Sequence, residues 1–293
     1  MNTNPAPRQP ADRSAQVVGT AAGVPFVAVP PDSAPTDQTP VVVAWHLMDA
    51  PRTETAFAAA LPLAGLDAWR IYLGLPKFSS RLPDGGLDEI MRQGYEDAVM
   101  NLQGPVSEQA AAEFPAAYAE LQERLGLRTG PVGVLGGSLG AAVALTLLAE
   151  RPIAIDAAVL VSPMVQLHPA VEALGEFFGV TYPWSTESLA VAQRMDFVAR
   201  AEQVGRDEPA IQLVVGADDH PTGFQEPAAR LRDALAASYA DPDRVELITV
   251  ASMPHALAEE PGLEPAPQVP HAGEVDRHAA RWFQTHLAST RSR

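Results

Sequence analysis

The sequence contains no cysteine among its 293 residues, and this absence removes a whole set of chemistries. Disulfides, thiolate nucleophiles, iron–sulfur clusters and cysteine zinc sites are all excluded, while the redox compartment stays undetermined. A chain of about 300 residues buries roughly 75% of the surface that it exposes when unfolded, so an ordinary hydrophobic core is large enough to stabilise it. The fold therefore has to depend on apolar packing and hydrogen bonds.

Positive charge is also scarce. The chain has 20 Lys and Arg residues against 36 Asp and Glu residues, which gives a formal net charge of −16. Such a charge repels phosphate backbones and anionic lipids, so we expect neither nucleic acids nor membrane surfaces as partners. The composition is 47% hydrophobic and 19% charged, which is typical of a folded globular protein.

Long apolar runs are missing as well. Runs such as residues 141–149 are far shorter than the ~18 residues that suggest a membrane span. Residues 1–16 hold three prolines among polar residues, without the apolar stretch of a signal peptide. These features predict a disordered leader over residues 1–16 of a cytoplasmic protein, followed by a single domain over residues 17–293.

Short β-branched runs alternate with longer segments of helical period in the rest of the chain. This alternation predicts βα units around a mainly parallel sheet, with strands that are buried on both faces. A run flanked by prolines, residues 25–29, predicts an additional antiparallel strand at the edge of the sheet. The buried strands are predicted at residues 41–45, 69–73, 132–135, 157–161, 211–215 and 245–250, and helices at 110–125, 223–239 and 271–288.

A long segment, residues 163–209, separates two of the predicted strands with far more residues than a short connection needs. Long insertions on an α/β core are commonly lids or pocket walls. Aromatic residues in this segment, including Phe177, Phe178 and Trp184, are suited to line an apolar acyl pocket. A small helical subdomain that packs its own core accounts for the same pattern, so both interpretations stay open.

The strongest functional signal is Gly136-Gly137-Ser138-Leu139-Gly140, which fits G-x-S-x-G. It follows a predicted buried strand and precedes a predicted helix that is apolar nearly all round. A nucleophile elbow requires this setting, because the serine occupies a strained turn and small neighbours let the backbone pass closely. A phosphate-binding loop is excluded since no lysine precedes the serine, and the glycines do not reproduce the dinucleotide fingerprint G-x-G-x-x-G.

A serine nucleophile needs a base and an orienting carboxylate, and this elbow requires the chain order Ser, Asp, His. His255 follows the predicted strand 245–250 and is the expected general base. His220 is the competitor. It is adjacent in sequence to Asp219, whereas the two groups of a triad usually come from separate loops.

Two carboxylates, Asp218 and Asp219, follow the predicted strand 211–215. They lie beyond the carboxyl end of a strand, where the ligand sites of open α/β sheets form. The spacing Gly-x-x-Asp from Gly216 favours Asp219 as the acid of the triad, with Asp218 as the alternative. A metal held by these carboxylates and a histidine has no recognisable ligand spacing, so no metal is expected.

Acyl transfer also needs two donors for the tetrahedral oxygen, and the loss of one costs on the order of 2.7–4 kcal/mol of transition-state stabilisation. The first donor is expected to be the backbone amide of Leu139, directly after the nucleophile. The second is expected from the loop that follows strand 41–45. Leu47 is the predicted residue there, and Met48 is the near alternative.

With these residues assigned, the sequence resembles the α/β-hydrolase superfamily over roughly residues 41–287. The resemblance rests on the elbow at Ser138, on Asp219 and His255 after their strands, and on the early loop His46-Leu47-Met48. It implies the α/β-hydrolase fold, a mostly parallel central sheet flanked by helices, with the insertion as a small lid. It also implies that no cofactor is used and that the reaction passes through an acyl-enzyme.

The early loop departs from the family pattern, because Leu47 and Met48 stand where similar esterases often carry glycines. From the resemblance we expect a serine hydrolase that acts on small-molecule carboxylic esters or thioesters. Two alternatives stay open: a non-catalytic protein of the same fold that binds a ligand or partner, and a non-hydrolytic, lyase-like enzyme. The sequence leaves the acyl group, the leaving group and the oligomeric state undetermined.

Overall fold

A computed structural model describes residues 16–288 of the chain. The predicted leader, residues 1–16, therefore lies outside the described residues apart from Gln16. In the described part of the chain, eight strands form one sheet. They are β1 Val17–Ala21, β2 Val24–Val29, β3 Val41–Trp45, β4 Trp69–Leu73, β5 Val132–Gly137, β6 Ala157–Val161, β7 Ala210–Gly216 and β8 Val245–Val250.

The sheet has the order β1-β2-β4-β3-β5-β6-β7-β8. Strands β3 to β8 pair in parallel, whereas β1 and β2 pair antiparallel at one end. Every residue of β3 to β7 is buried, as expected for parallel strands that are covered on both faces. The mostly parallel sheet confirms the predicted fold class.

Helices cover both faces of the sheet. They are α1 Glu54–Ala60, α2 Gly86–Asp97, α3 Gly104–Leu125, α4 Leu139–Glu150, α5 Leu167–Phe178, α6 Thr186–Arg194, α7 Ala201–Val204, α8 Glu226–Ser238 and α9 Pro270–His286. Side chains of α3, α4 and α8 pack in one hydrophobic core, and those of α1 and α9 pack in a second. The sheet is therefore the middle layer of three.

No helix of residues 16–288 is long and apolar enough to cross a lipid bilayer.

The strand predicted at the sheet edge is present as β2, but its edge position is wrong. β2 pairs on one side with β4 and on the other with β1. The strand β1 is not predicted from the sequence. β1 alternates partly exposed and exposed residues over most of its length, and such a short, mixed run gives no clear strand signal.

The insertion at residues 163–209 contains α5, α6 and α7. Leu167, Val171 and Val191 of this segment belong to the same hydrophobic core as α3 and α4, so the insertion does not pack a separate core. The side chain of Phe177 is 82% exposed and that of Phe178 is 41% exposed. These two rings therefore do not line an enclosed acyl pocket in this structure.

Candidate active site

Ser138 lies on the turn between β5 and α4, at the carboxyl edge of the sheet. Its backbone has φ 49° and ψ −112°, and a positive φ is strained for any residue with a Cβ atom. The residue is buried. The combination of strand, strained turn and helix is the geometry that the G-x-S-x-G pattern predicts for a nucleophile elbow.

Close backbone contacts explain the glycines around the serine. A Cβ atom on Gly136 would lie 2.3 Å from the carbonyl oxygen of Gly140, and one on Gly140 would lie 2.3 Å from the carbonyl oxygen of Trp45. Both distances are far below van der Waals contact, and both partners are backbone atoms that cannot rotate away. The glycines therefore let the start of α4 pack directly against β5 and the end of β3.

Three side chains from three loops form a continuous chain of hydrogen bonds. Oγ of Ser138 lies 2.8 Å from Nε2 of His255, and Nδ1 of His255 lies 2.9 Å and 3.1 Å from the two carboxylate oxygens of Asp219. An ionised carboxylate only accepts hydrogen bonds, so Nδ1 carries the hydrogen and Nε2 accepts the one from the Ser138 hydroxyl. In this arrangement His255 is placed to remove the proton from Oγ.

The surroundings of His255 favour its charged form. Burial opposes the charge, but the hydrogen bond and negative charge of Asp219, together with the charge of Asp49, outweigh burial and raise the pKa of His255. The side chain of Asp219 is 1% exposed and that of His255 is 20% exposed. The weak access of water leaves these charges poorly screened, so an imidazolium formed during a reaction is stabilised here.

The structure separates the two candidate acids. Asp219 contacts His255, and its Oδ1 also accepts the backbone amide hydrogen of His220 at 2.7 Å, which fixes the carboxylate. Asp218 is exposed, and among the described residues its side chain makes no hydrogen bond with His255. Of the two, only Asp219 is brought to the serine and the histidine.

The competing base, His220, is engaged elsewhere. Its Nδ1 accepts the amide hydrogen of Gly223 at 3.1 Å, and its Nε2 lies 3.0 Å from Oε2 of Glu176 on α5. This ring therefore caps a π-helical turn at Pro221–Gln225 and contacts the insertion. The predicted helix 223–239 consequently begins as a regular α-helix only at the start of α8.

The predicted oxyanion donors lie next to the serine. Leu139 is the first residue of α4, and Leu47 and Met48 follow the end of β3. Within residues 16–288, the backbone amide hydrogens of these three residues bind no protein acceptor. None of these three amide hydrogens is therefore committed to a protein acceptor in the described part of the chain.

His46 fixes the direction of one peptide in this loop. The ring is fully buried; its Nε2 accepts the amide hydrogen of Leu75 at 3.1 Å, so Nδ1 donates to the carbonyl oxygen of Leu47 at 2.6 Å. Burial lowers the pKa of His46 to about 4, which keeps the ring neutral. In a trans peptide the carbonyl and the next amide point in opposite directions, so the amide hydrogen of Met48 points away from the ring.

Asp49 is a charged residue at the site that sequence reasoning missed. Its Oδ2 lies 3.7 Å from Nε2 of His255, and its side chain is 51% exposed. The only sequence signal is its position directly after the loop 46–48.

In the described part of the chain, no group of three or more His, Asp or Glu side chains is arranged to hold a metal ion.

One family model matches the chain. It is described as serine aminopeptidase, S33, and it matches residues 107–218, which include Ser138 and end one residue before Asp219. No curated protein matches the sequence at a significant level. The family match supports hydrolase activity.

Several solved structures are similar to this one. The protein TT1662 from Thermus thermophilus is 19% identical, with a TM-score of 0.60 and coverage of 95% of this chain and 99% of its own. An esterase from Pyrococcus furiosus is 14% identical, with a TM-score of 0.57 and coverage of 98% and 97%. Dipeptidyl peptidase 4 from Porphyromonas gingivalis is 14% identical, with a TM-score of 0.60 and coverage of 93% and 35%. Identities this low establish a shared fold and do not separate esterases from peptidases.

Proposed function

We propose that the chain, part of which matches a serine-hydrolase family model and whose fold is similar to that of an esterase, is a serine hydrolase that cleaves carboxylic esters or thioesters through an acyl-enzyme. The observation that carries the proposal is the chain of hydrogen bonds from Ser138 through His255 to Asp219. A nucleophile, a base and a group that orients the base are the minimum that acyl transfer to serine requires. Here the base and the orienting group come from other loops to the serine on its strained elbow.

In the proposed reaction, Oγ of Ser138 attacks the acyl carbon while its proton moves to Nε2 of His255. Asp219 stabilises the imidazolium that forms. The negative oxygen of the tetrahedral intermediate accepts hydrogen bonds from the amide of Leu139 and from a second amide. His255 then gives its proton to the departing alkoxide or thiolate. Water, activated by the same ring, attacks the acyl-enzyme and releases the acid, which restores the serine.

The second oxyanion donor is proposed to come from the loop after β3, at Leu47 or Met48. The hydrogen bond between His46 and the Leu47 carbonyl directs the Met48 amide away from the buried ring. This direction supports Met48, the residue that sequence reasoning places second.

Asp219 is proposed as the carboxylate that orients His255, since Asp218 lacks contact with this base.

Peptide hydrolysis is a second candidate, because the matching family model is described as a serine aminopeptidase. Ester hydrolysis is placed first because the similar Pyrococcus esterase aligns over nearly the full length of both chains. The dipeptidyl peptidase aligns over only 35% of its own length. The two candidates share the nucleophile and differ in the leaving group.

A matched pair of substrates separates the candidates. We propose to compare p-nitrophenyl butyrate with alanine p-nitroanilide, using the native chain and Ser138→Ala. The ester is expected to turn over with an initial burst of p-nitrophenol, as an accumulating acyl-enzyme produces, and Ser138→Ala is expected to lose the burst. Faster turnover of the anilide would favour the peptidase, and no turnover of either substrate would contradict hydrolysis.

A further inference from the structure

Asp49 places a negative charge beside the reacting groups. Its Oδ2 lies 3.7 Å from Nε2 of His255, and Oγ of Ser138 lies 2.8 Å from the same nitrogen. Both oxygens therefore lie around the nitrogen that transfers the proton. A leaving group has to reach Nε2 to receive its proton, so in the proposed reaction it has to come close to the Asp49 carboxylate.

No Lys or Arg side chain of residues 16–288 forms an ion pair with this carboxylate. Among the described residues, Asp49 accepts no hydrogen bond, and its one ion-pair partner is His255, which is charged only when protonated. The nearest arginine in the sequence, Arg52, donates to the carbonyl oxygen of Met48 at 2.9 Å and pairs with Glu260 at 2.7 Å. Because His255 has to be neutral when it accepts the serine proton, the Asp49 charge is uncompensated while a substrate binds.

We propose that Asp49 makes the site selective for esters whose leaving group carries a positive charge, such as esters of amino alcohols. An ammonium group two carbons beyond the ester oxygen fits beside Asp49 when that oxygen lies at Nε2. A leaving group that carries a carboxylate is repelled for the same reason. This inference rests on the proposed function and specifies its substrate class.

The size of the preference follows from the exposure of Asp49. With half of the side chain in contact with water, much of the attraction is screened, and pairs of this kind contribute far less than buried ones. We therefore expect a preference of roughly fivefold in kcat/KM for a cationic ester over an uncharged one of the same shape, which corresponds to about 1 kcal/mol. The preference should shrink as ionic strength rises.

The test compares butyrylcholine with its uncharged carbon isostere, the dimethylbutyl ester of butyric acid. The ratio of the two kcat/KM values is measured for the native chain, for Asp49→Asn and for Asp37→Asn. Asp37 is exposed and lies in the loop before β3, at the opposite edge of the sheet, so its substitution makes the same charge change away from the site. Because both substrates use His255, the ratio cancels any effect of Asp49 on the basicity of that ring.

The expected result is a ratio of about five for the native chain and for Asp37→Asn, and a ratio near one for Asp49→Asn. A native ratio near one, with normal hydrolysis of the isostere, would overturn this inference and leave the proposed function intact. If Asp49→Asn keeps the substrate ratio of the native chain, the inference is also overturned. Failure of the native chain to hydrolyse either ester would overturn the proposed function together with the inference.

Discussion

Asp218 and Asp219 are neighbours in the sequence, and at the residue scale their environments differ sharply. Asp219 is buried and bonded to His255, whereas Asp218 is exposed. The sequence favours Asp219 from its spacing to Gly216, and the geometry supports the same residue. Asp49 was not predictable in this way, because its contact with His255 depends on how the loop after β3 turns.

Substitution of the two carboxylates should have opposite outcomes. Asp219→Asn removes the charge that stabilises the imidazolium and disturbs the tautomer of His255, so kcat should fall by about 10⁴, as in other triads. Asp218→Asn should change kcat by no more than about twofold, because Asp218 is exposed and an exposed charge without a contact to the base interacts with it only weakly. Steady-state hydrolysis of p-nitrophenyl butyrate measures both. A larger loss in Asp218→Asn would show that the acid is assigned to the wrong residue.

The pH dependence of the reaction should report the charge on Asp49. His255 acts as a base only when deprotonated, so kcat/KM rises as pH increases through its raised pKa. Asp49→Asn removes one of the charges that raise this pKa, so the acid limb of the profile should move to lower pH. The control Asp37→Asn should keep the native profile. A shift to higher pH in Asp49→Asn would contradict this account of the ring.

His46 is proposed as a positioning residue for the oxyanion loop. His46→Phe removes both of its hydrogen bonds and leaves the Leu75 amide and Leu47 carbonyl unpartnered. We expect kcat to fall by as much as the 10²–10³ typical of a lost oxyanion donor, with KM nearly unchanged. His46→Gln, which retains a donor and an acceptor, should recover part of kcat. Equal losses in both variants, or a change confined to KM, would count against this role.

At the element scale, strongly apolar strands were predictable, whereas the charged helix α2 was not. The predicted runs 41–45, 69–73 and 157–161 coincide with β3, β4 and β6, because strands buried on both faces leave a continuous apolar signal. α2 is rich in charged residues and buries only Ile90. Its position depends on tertiary contacts, which the local sequence does not encode.

The close approach of α4 to β3 should make Gly140 intolerant of any side chain. In Gly140→Ala the new Cβ meets a backbone carbonyl at 2.3 Å, so α4 has to move, and overpacking of this kind costs about 1–3 kcal/mol. Gly273→Ala in α9 is the matched control, because its nearest contacts lie at 3.8 Å and alanine favours a helix by about 1 kcal/mol. Urea unfolding should show a lower midpoint for the first variant only. Equal midpoints would contradict the packing argument.

At the scale of the whole molecule, topology brings distant residues together. Ser138 and His255 are 117 positions apart, and Asp219 and His255 are 36 apart. They meet because β5, β7 and β8 are parallel, so the loops at their carboxyl ends share one edge of the sheet. This rule made their meeting at one edge of the sheet predictable from the sequence. The choice between Leu47 and Met48 was not, since it depends on the direction of a single peptide.

The central claim is that Ser138 is an activated nucleophile, and intact mass after incubation with a fluorophosphonate tests it most directly. The native chain should gain the mass of one adduct, because the probe reacts with a serine whose proton a base removes. Ser138→Ala should gain none, and His255→Ala should gain none on the same timescale. An unmodified native chain, or an adduct that persists in Ser138→Ala, would contradict the account.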